Sequence, residues 1–128
     1  MGAIENSNAL SAWALVQVQS LTDYRIVRGS GVRELVRVGV GLYNLRLVEP
    51  MDYSVNQATL AILRAQQVMT FCNLAGVLRR LYCGVVPLTI PPGAYEAGSV
   101  AMGFANAADV NIDDGLGLVQ IWTFPSID

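Results

Sequence analysis

The chain contains no histidine and no lysine. Without histidine, the commonest general base and metal ligand is missing, and neither a Ser-His-Asp nor a Cys-His constellation can be built. Without lysine, Schiff-base chemistry and a P-loop lysine are excluded. Charge of either sign is scarce, at 14% of residues against the roughly quarter usual for a soluble domain. The net charge is −2 and no basic patch is evident, so a nucleic-acid partner is not expected. Two cysteines, Cys72 and Cys83, are too few for a disulfide scaffold. They read as small buried hydrophobes, although a pair across a hairpin is open to them.

Long apolar runs are missing too, despite 53% hydrophobic residues and a mean hydropathy of +0.43. The most apolar stretch, "LAGVLRRLYCGVVPLTIPP", is cut by Arg79-Arg80 and ended by Pro91-Pro92, and a spanning helix needs about 18 uninterrupted apolar residues. The first residues, "MGAIENSNALSAWAL", lack the basic start of a signal peptide. No membrane partner is therefore expected. The apolar excess points to a large core or to surface that is covered in the working state, since obligate interfaces lose charge at their centre. All eight cations are arginine, which tolerates partly buried interfaces better than lysine does; GC-rich coding DNA gives the same bias.

What is present is alternation. In "RVGVGLYNLRLVEPMD", residues 37–52, Tyr43, Leu45 and Leu47 point one way and Asn44 and Arg46 the other. The first three belong to a core; the other two read as rim or solvent residues. Strands are expected near 13–19, 24–28 (closed by "GSG" at 29–31), 33–40, the patterned stretch that Pro50 ends, 77–86, 99–105 and 116–124. Gly39 and Gly41 suggest a bulge or bend. Segment 55–70 is ambiguous between helix and strand, and the strand reading, over 57–65, fits its neighbours. About eight short strands with Gly and Pro punctuation give an all-β fold. It is a two-sheet antiparallel sandwich with jelly-roll or Greek-key topology, in one domain over 1–128. Residues 1–11 read as an N-terminal arm and 125–128 as a short tail. The expected core is Val16, Val18, Ile26, Tyr43, Leu45, Leu47, Leu60, Ile62, Leu81, Phe104, Val119 and Ile121.

Few groups remain for chemistry. Ser30 sits between glycines but has no base, and reads as a turn. Asp113 and Asp114 are adjacent, so on a strand they point to opposite faces. Asp109, Asn111 and Asp113 begin like a calcium loop, but Asp114 stands where that loop needs glycine, and a solvated connection is the simpler reading. No catalytic residue, cofactor or metal site is assigned, and an enzyme is not expected. Arg79-Arg80 place one guanidinium on each face of a strand. The one turned inward needs a carboxylate or carbonyl partner, unless a bulge brings both to water.

The elements Gly39, Gly41, Tyr43, Leu45 and Leu47, then Phe104, Asn106 and Asp109, and finally Trp122 and Phe124 resemble the small all-β virion proteins of tailed bacteriophages. Many of those carry G-x-G-x-Y-x-L-x-L before a Pro-containing turn, and F-x-N-x-x-D before a last aromatic strand. The resemblance covers roughly residues 30–124 and is nearest to the jelly-roll capsid decoration, or cementing, proteins, as in short-tailed Bordetella phages. It implies a structural protein on the outer capsid surface of the virion. Such a protein would be a homodimer or homotrimer that binds the major capsid protein and cements the shell by bridging its subunits. Ile4, Leu10, Arg79, Arg80, Trp122, Phe124 and Ile127 are the expected assembly interface. The alternative is a receptor- or carbohydrate-binding module of a phage fibre or tail, for which Trp122 and Tyr95 are the candidate aromatics.

Overall fold

A computed structural model describes residues 9–50, 66–68, 79–87 and 89–123. Within them the chain is all-β, with no helix. The strands are β1 (Ala9–Ser20), β2 (Asp23–Ser30), β3 (Val32–Gly39), β4 (Leu42–Leu47), β5 (Gln66–Val68), β6 (Arg79–Val85), β7 (Val100–Asn106) and β8 (Gly115–Thr123). They form two antiparallel sheets, in the orders β2-β1-β8-β5 (sheet A) and β3-β4-β7-β6 (sheet B). This is the two-sheet sandwich that the strand count and punctuation indicate. Sequence neighbours pair as hairpins in β1-β2 and β3-β4, while β1-β8 and β4-β7 join distant parts of the chain.

Alternation sets the core. Ala12, Ala14, Val16 and Val18 of β1 meet Tyr43, Leu45 and Leu47 of β4, Leu81 of β6, Val100, Met102 and Phe104 of β7, and Val119 and Ile121 of β8. The small β1 residues are the ones that face inward, which lets the large sheet-B side chains cross the gap. Gly117 serves the same purpose: a Cβ there would stand 2.3 Å from the Leu81 side chain. Tyr24, Tyr43 and Phe104 form an edge-to-face series, with ring centroids 5.2 and 5.9 Å apart. Of the expected core, Ile26 is only partly buried, because β2 is an edge strand. Leu60 and Ile62, like the strand expected over 57–65, lie outside the described residues.

Three expectations are corrected. The "GSG" stretch does not close β2. Gly29 stays paired with Ala14, and only Gly31 turns, at φ 74°, as a one-residue corner that carries the chain from sheet A to sheet B. A Cβ at Gly31 would sit 2.8 Å from the Ser11 carbonyl oxygen. Strand β1 begins at Ala9, so residues 9–11 of the expected arm belong to sheet A. Asn44 is no rim residue: it faces outward from sheet B yet is fully buried, because the β6–β7 connection folds over it. Its amide nitrogen donates to Ser99 Oγ (2.5 Å) and the Val100 carbonyl (3.1 Å). Its amide oxygen accepts from the Glu96 N–H (2.9 Å) and Arg46 Nε (3.3 Å). All four hydrogen-bonding positions of the amide are used, which is what makes its burial tolerable.

Candidate functional site

The β7–β8 connection, residues 107–114, carries the acidic cluster and passes from sheet B to sheet A. Asn106 shapes its start: Oδ1 accepts from the N–H groups of Ala108 (2.9 Å) and Val110 (3.1 Å). This side-chain turn holds Asp109 in the left-handed region at φ 62°, which aspartate tolerates better than most residues. Phe104, anchored in the core, binds both ways across the end of the sheet. Its N–H donates to the Gly41 carbonyl (2.7 Å), and its carbonyl accepts from the Ile112 N–H (3.0 Å). Gly41, at φ 67°, leaves no room for a side chain, since a Cβ would lie 2.6 Å from the Phe104 oxygen. The Gly39–Gly41 bend is the tip of the β3-β4 hairpin, and its backbone rests directly on the connection. Gly41, Phe104 and the start of the connection thus meet at one place.

Each carboxylate of the connection is held by an arginine from a strand. Asp113, 12% exposed at its side chain, accepts from Arg37 Nε (3.1 Å) and Nη2 (2.8 Å), the Gly41 N–H (2.9 Å) and the Tyr43 hydroxyl (2.7 Å). Chiefly through the Arg37 hydrogen bond, its carboxyl is held down at about 2. The same cluster, with burial as the larger cause, raises the Tyr43 hydroxyl above its ordinary range. Asp114 turns the other way and accepts from Arg79 Nε (2.8 Å) and Nη2 (2.7 Å). Asp109 Oδ1 accepts from Arg80 Nη1 and the Tyr82 hydroxyl, both at 2.6 Å. The Tyr82 hydrogen bond is the main cause that lowers the Asp109 carboxyl. Arg37 and Arg79 lie on β3 and β6, the opposite edges of sheet B, so Asp113 and Asp114 diverge as adjacent residues on an extended chain must.

The calcium-like spacing therefore has another use. Asp109 and Asp113 reach guanidinium groups on different strands rather than converging, and Asn111 is exposed. Among the described residues no group of three or more acidic or cysteine side chains could share a metal ion. Cys83 faces the core from β6, where burial pushes its thiol up to about 12, so it is a poor nucleophile.

The register places three turns at this same end. Val18 pairs with Gly115, so the β1-β2 turn lies beside the end of the connection, and Gly41 adjoins Ile112 and Asp113. Each turn presents one large apolar side chain to solvent: Leu21 is 59% exposed, Val40 57% and Val110 56%. The sequence reading missed these three. Their signal was local: an apolar residue within a turn, between Gly39 and Gly41 for Val40 and within a polar connection for Val110.

Of the expected interface residues, Arg79 and Arg80 are at this end. Arg79 is 16% exposed at its side chain and Arg80 49%, so the inward-turned arginine does have the carboxylate partner that its position requires. Leu10 is exposed at the opposite end of β1, where its backbone pairs with that of Trp122. Ile4, Phe124 and Ile127 lie outside the described residues. Tyr95 is half-buried in the β6–β7 connection.

A second charge cluster lies toward the other end of sheet B. Arg33 meets both oxygens of Glu96 (2.6 and 2.5 Å), and Arg46 bridges Glu34 (2.9 Å) and Glu96 (3.3 Å). Five of the eight arginines are on sheet-B strands, whereas the 21 residues of β1 and β8 include no charged side chain. Trp13, Leu15, Leu116 and Leu118 turn outward there, with Leu15 directly opposite Leu118. No family model matches this chain, and neither does any curated protein or solved structure.

Proposed function

We propose that the protein is a structural virion component that binds the outside of a phage capsid shell and stabilises it by bridging major capsid protein subunits. One observation carries this reading: all three carboxylates of the 107–114 connection are locked onto arginines of β3 and β6. The polar groups that might have formed a reactive cluster instead brace a loop against a sheet. A braced sandwich that presents surface suits a cement, because a rigid partner loses little conformational entropy on binding and a lattice couples many modest contacts. The protein acts without cofactor or catalysis in this reading.

Self-association as a dimer or trimer is part of the proposal. The uncharged outward face of β1 and β8 supports it, since that face buries without stranding a charge. The test is co-sedimentation of purified protein with empty shells of the phage that encodes it, beside sedimentation velocity of the protein alone. Pelleting with shells and a mass above that of one chain are expected. A monomer that stays in the supernatant at every concentration would refute the proposal.

A second reading, carbohydrate or receptor binding, is favoured by one feature. Tyr82 is 48% exposed beside Asp109 and Arg80, and sugars stack on tyrosine rings while bonding to carboxylate and guanidinium groups. Retention on a glycan array with no binding to shells would select it.

A further inference from the structure

We infer that the turn end of the sandwich is the surface that seats on the shell, with Leu21, Val40 and Val110 as its apolar anchors. This rests on the proposed capsid role and names the face that performs it. Three large aliphatic side chains, each more than half exposed, come from three separate turns and share one end. Elsewhere on the described surface, Leu10, Val27 and Val48 stand on different elements, and only Tyr82 adjoins the end itself. Single exposed hydrophobes are ordinary, but a convergence of three turn tips is not.

The charges around these tips identify the kind of partner. Asp109, Asp113 and Asp114 are neutralised by Arg80, Arg37 and Arg79, so the contact does not have to desolvate an unpaired charge from the connection. Asp23, the first residue of β2 after the β1-β2 turn, adds a negative charge at the rim. An end with no surplus of cations does not suit nucleic acid or an anionic bilayer, both of which select basic surfaces. It suits an apolar, weakly charged protein surface, which on this reading belongs to the major capsid protein.

The tips are also held in place before binding. Val110 is fixed by Asn106, which accepts from its N–H and donates to its carbonyl. Val40 precedes Gly41, whose N–H is bound by Asp113. In the β1-β2 turn, Ser20 Oγ accepts from the N–H groups of Thr22 (3.3 Å) and Asp23 (3.1 Å). Little ordering is left to be done at the interface.

The experiment pellets empty shells with increasing amounts of wild-type protein, the triple variant Leu21→Asp/Val40→Asp/Val110→Asp, and Val48→Asp. Val48 is 63% exposed, and its N–H bonds the corner at Gly31, at the opposite end. A thermal melt and sedimentation velocity are recorded for each. The triple variant should lose at least tenfold in apparent affinity, Val48→Asp should stay within about twofold of wild type, and all three should melt alike. If the aspartates lower the melting temperature, the corresponding triple serine variant is used, and it should lose affinity in the same direction. Wild-type affinity in a folded triple variant would overturn the inference and leave the capsid role standing. Wild-type protein that ignores shells would overturn both. A triple variant that binds shells normally but no longer self-associates would assign the end to a second copy of the chain, and that also overturns it.

Discussion

Replacing Asp113 by alanine removes one side chain and leaves four donor groups, from three residues, without their acceptor. The Gly41 N–H and the Tyr43 hydroxyl are neutral, and the latter is the polar tip of a ring otherwise sealed in the core. A stranded buried donor costs about 1–3 kcal/mol. Two would cost about 2–6 kcal/mol, but the site is near the surface, and water can reach part of it once the carboxylate is gone. We therefore expect the lower half of that range, about 3 kcal/mol, with Arg37 rehydrating at little cost. For a chain of 128 residues, an unfolding entropy of about 2.1 cal/mol/K per residue converts this to a fall in Tm of about 11 °C.

The pH dependence gives a second reading of the same contact. The Asp113 carboxyl is depressed, to about 2 from its usual 3.8, so its contribution is complete above pH 4 and is lost as the pH falls from about 4 to 2. Asp113→Asn, similar in shape but unable to titrate, should flatten that acid limb and lower stability at neutral pH. Chemical denaturation at several pH values measures both effects. If Asp113→Ala is within about 0.5 kcal/mol of wild type and keeps its acid limb, the connection is not braced as described, and the case for a preorganised end fails with it.

Three further substitutions test the frame. Leu45→Ala removes a fully buried side chain between the sheets and should cost about 2–5 kcal/mol by denaturant unfolding, with a loss below about 0.5 kcal/mol ruling out a core role. Asn44→Leu leaves the Glu96 N–H without its acceptor and removes the bond to Ser99 Oγ, and should speed amide exchange over 94–99 before it affects the strands. Gly41→Ala places a Cβ 2.6 Å from the Phe104 oxygen in a backbone conformation that L-residues avoid, and should lower Tm by more than Val40→Ala does.

The parts of this fold legible in the sequence were those encoded over a few residues. Period-two alternation put Tyr43, Leu45 and Leu47 in the core, and Val16 and Val18 likewise. Most described strands fall within a few residues of their sequence-read positions. Asn44 was misread because the loop that buries it lies some 50 residues further along the chain, and alternation carries no information about what covers an outward face. The Arg79-Arg80 pair implied a carboxylate but not which one. Asp114 is 35 positions away from Arg79, and Asp113 is 76 from Arg37, contacts that exist only once β7 has paired with β6 and with β4. The acidic loop looked like a weak metal motif because its spacing is visible in the sequence and its arginine partners are not.

The pairing of β1 with β8 has a mechanical consequence. Ala9 lies opposite Thr123, and the strands run antiparallel from there to Val18 and Gly115. A force that draws Ala9 and Thr123 apart acts across the ladder and opens its hydrogen bonds one after another, as a zip opens, so the peak force is low. A force that pulls Ala9 along β1 and Gly115 along β8 in opposite directions, from opposite ends of the ladder, loads the same bonds together in shear, and it meets their combined resistance. The ladder is therefore soft when tugged apart at Ala9 and Thr123 and stiff when loaded between Ala9 and Gly115.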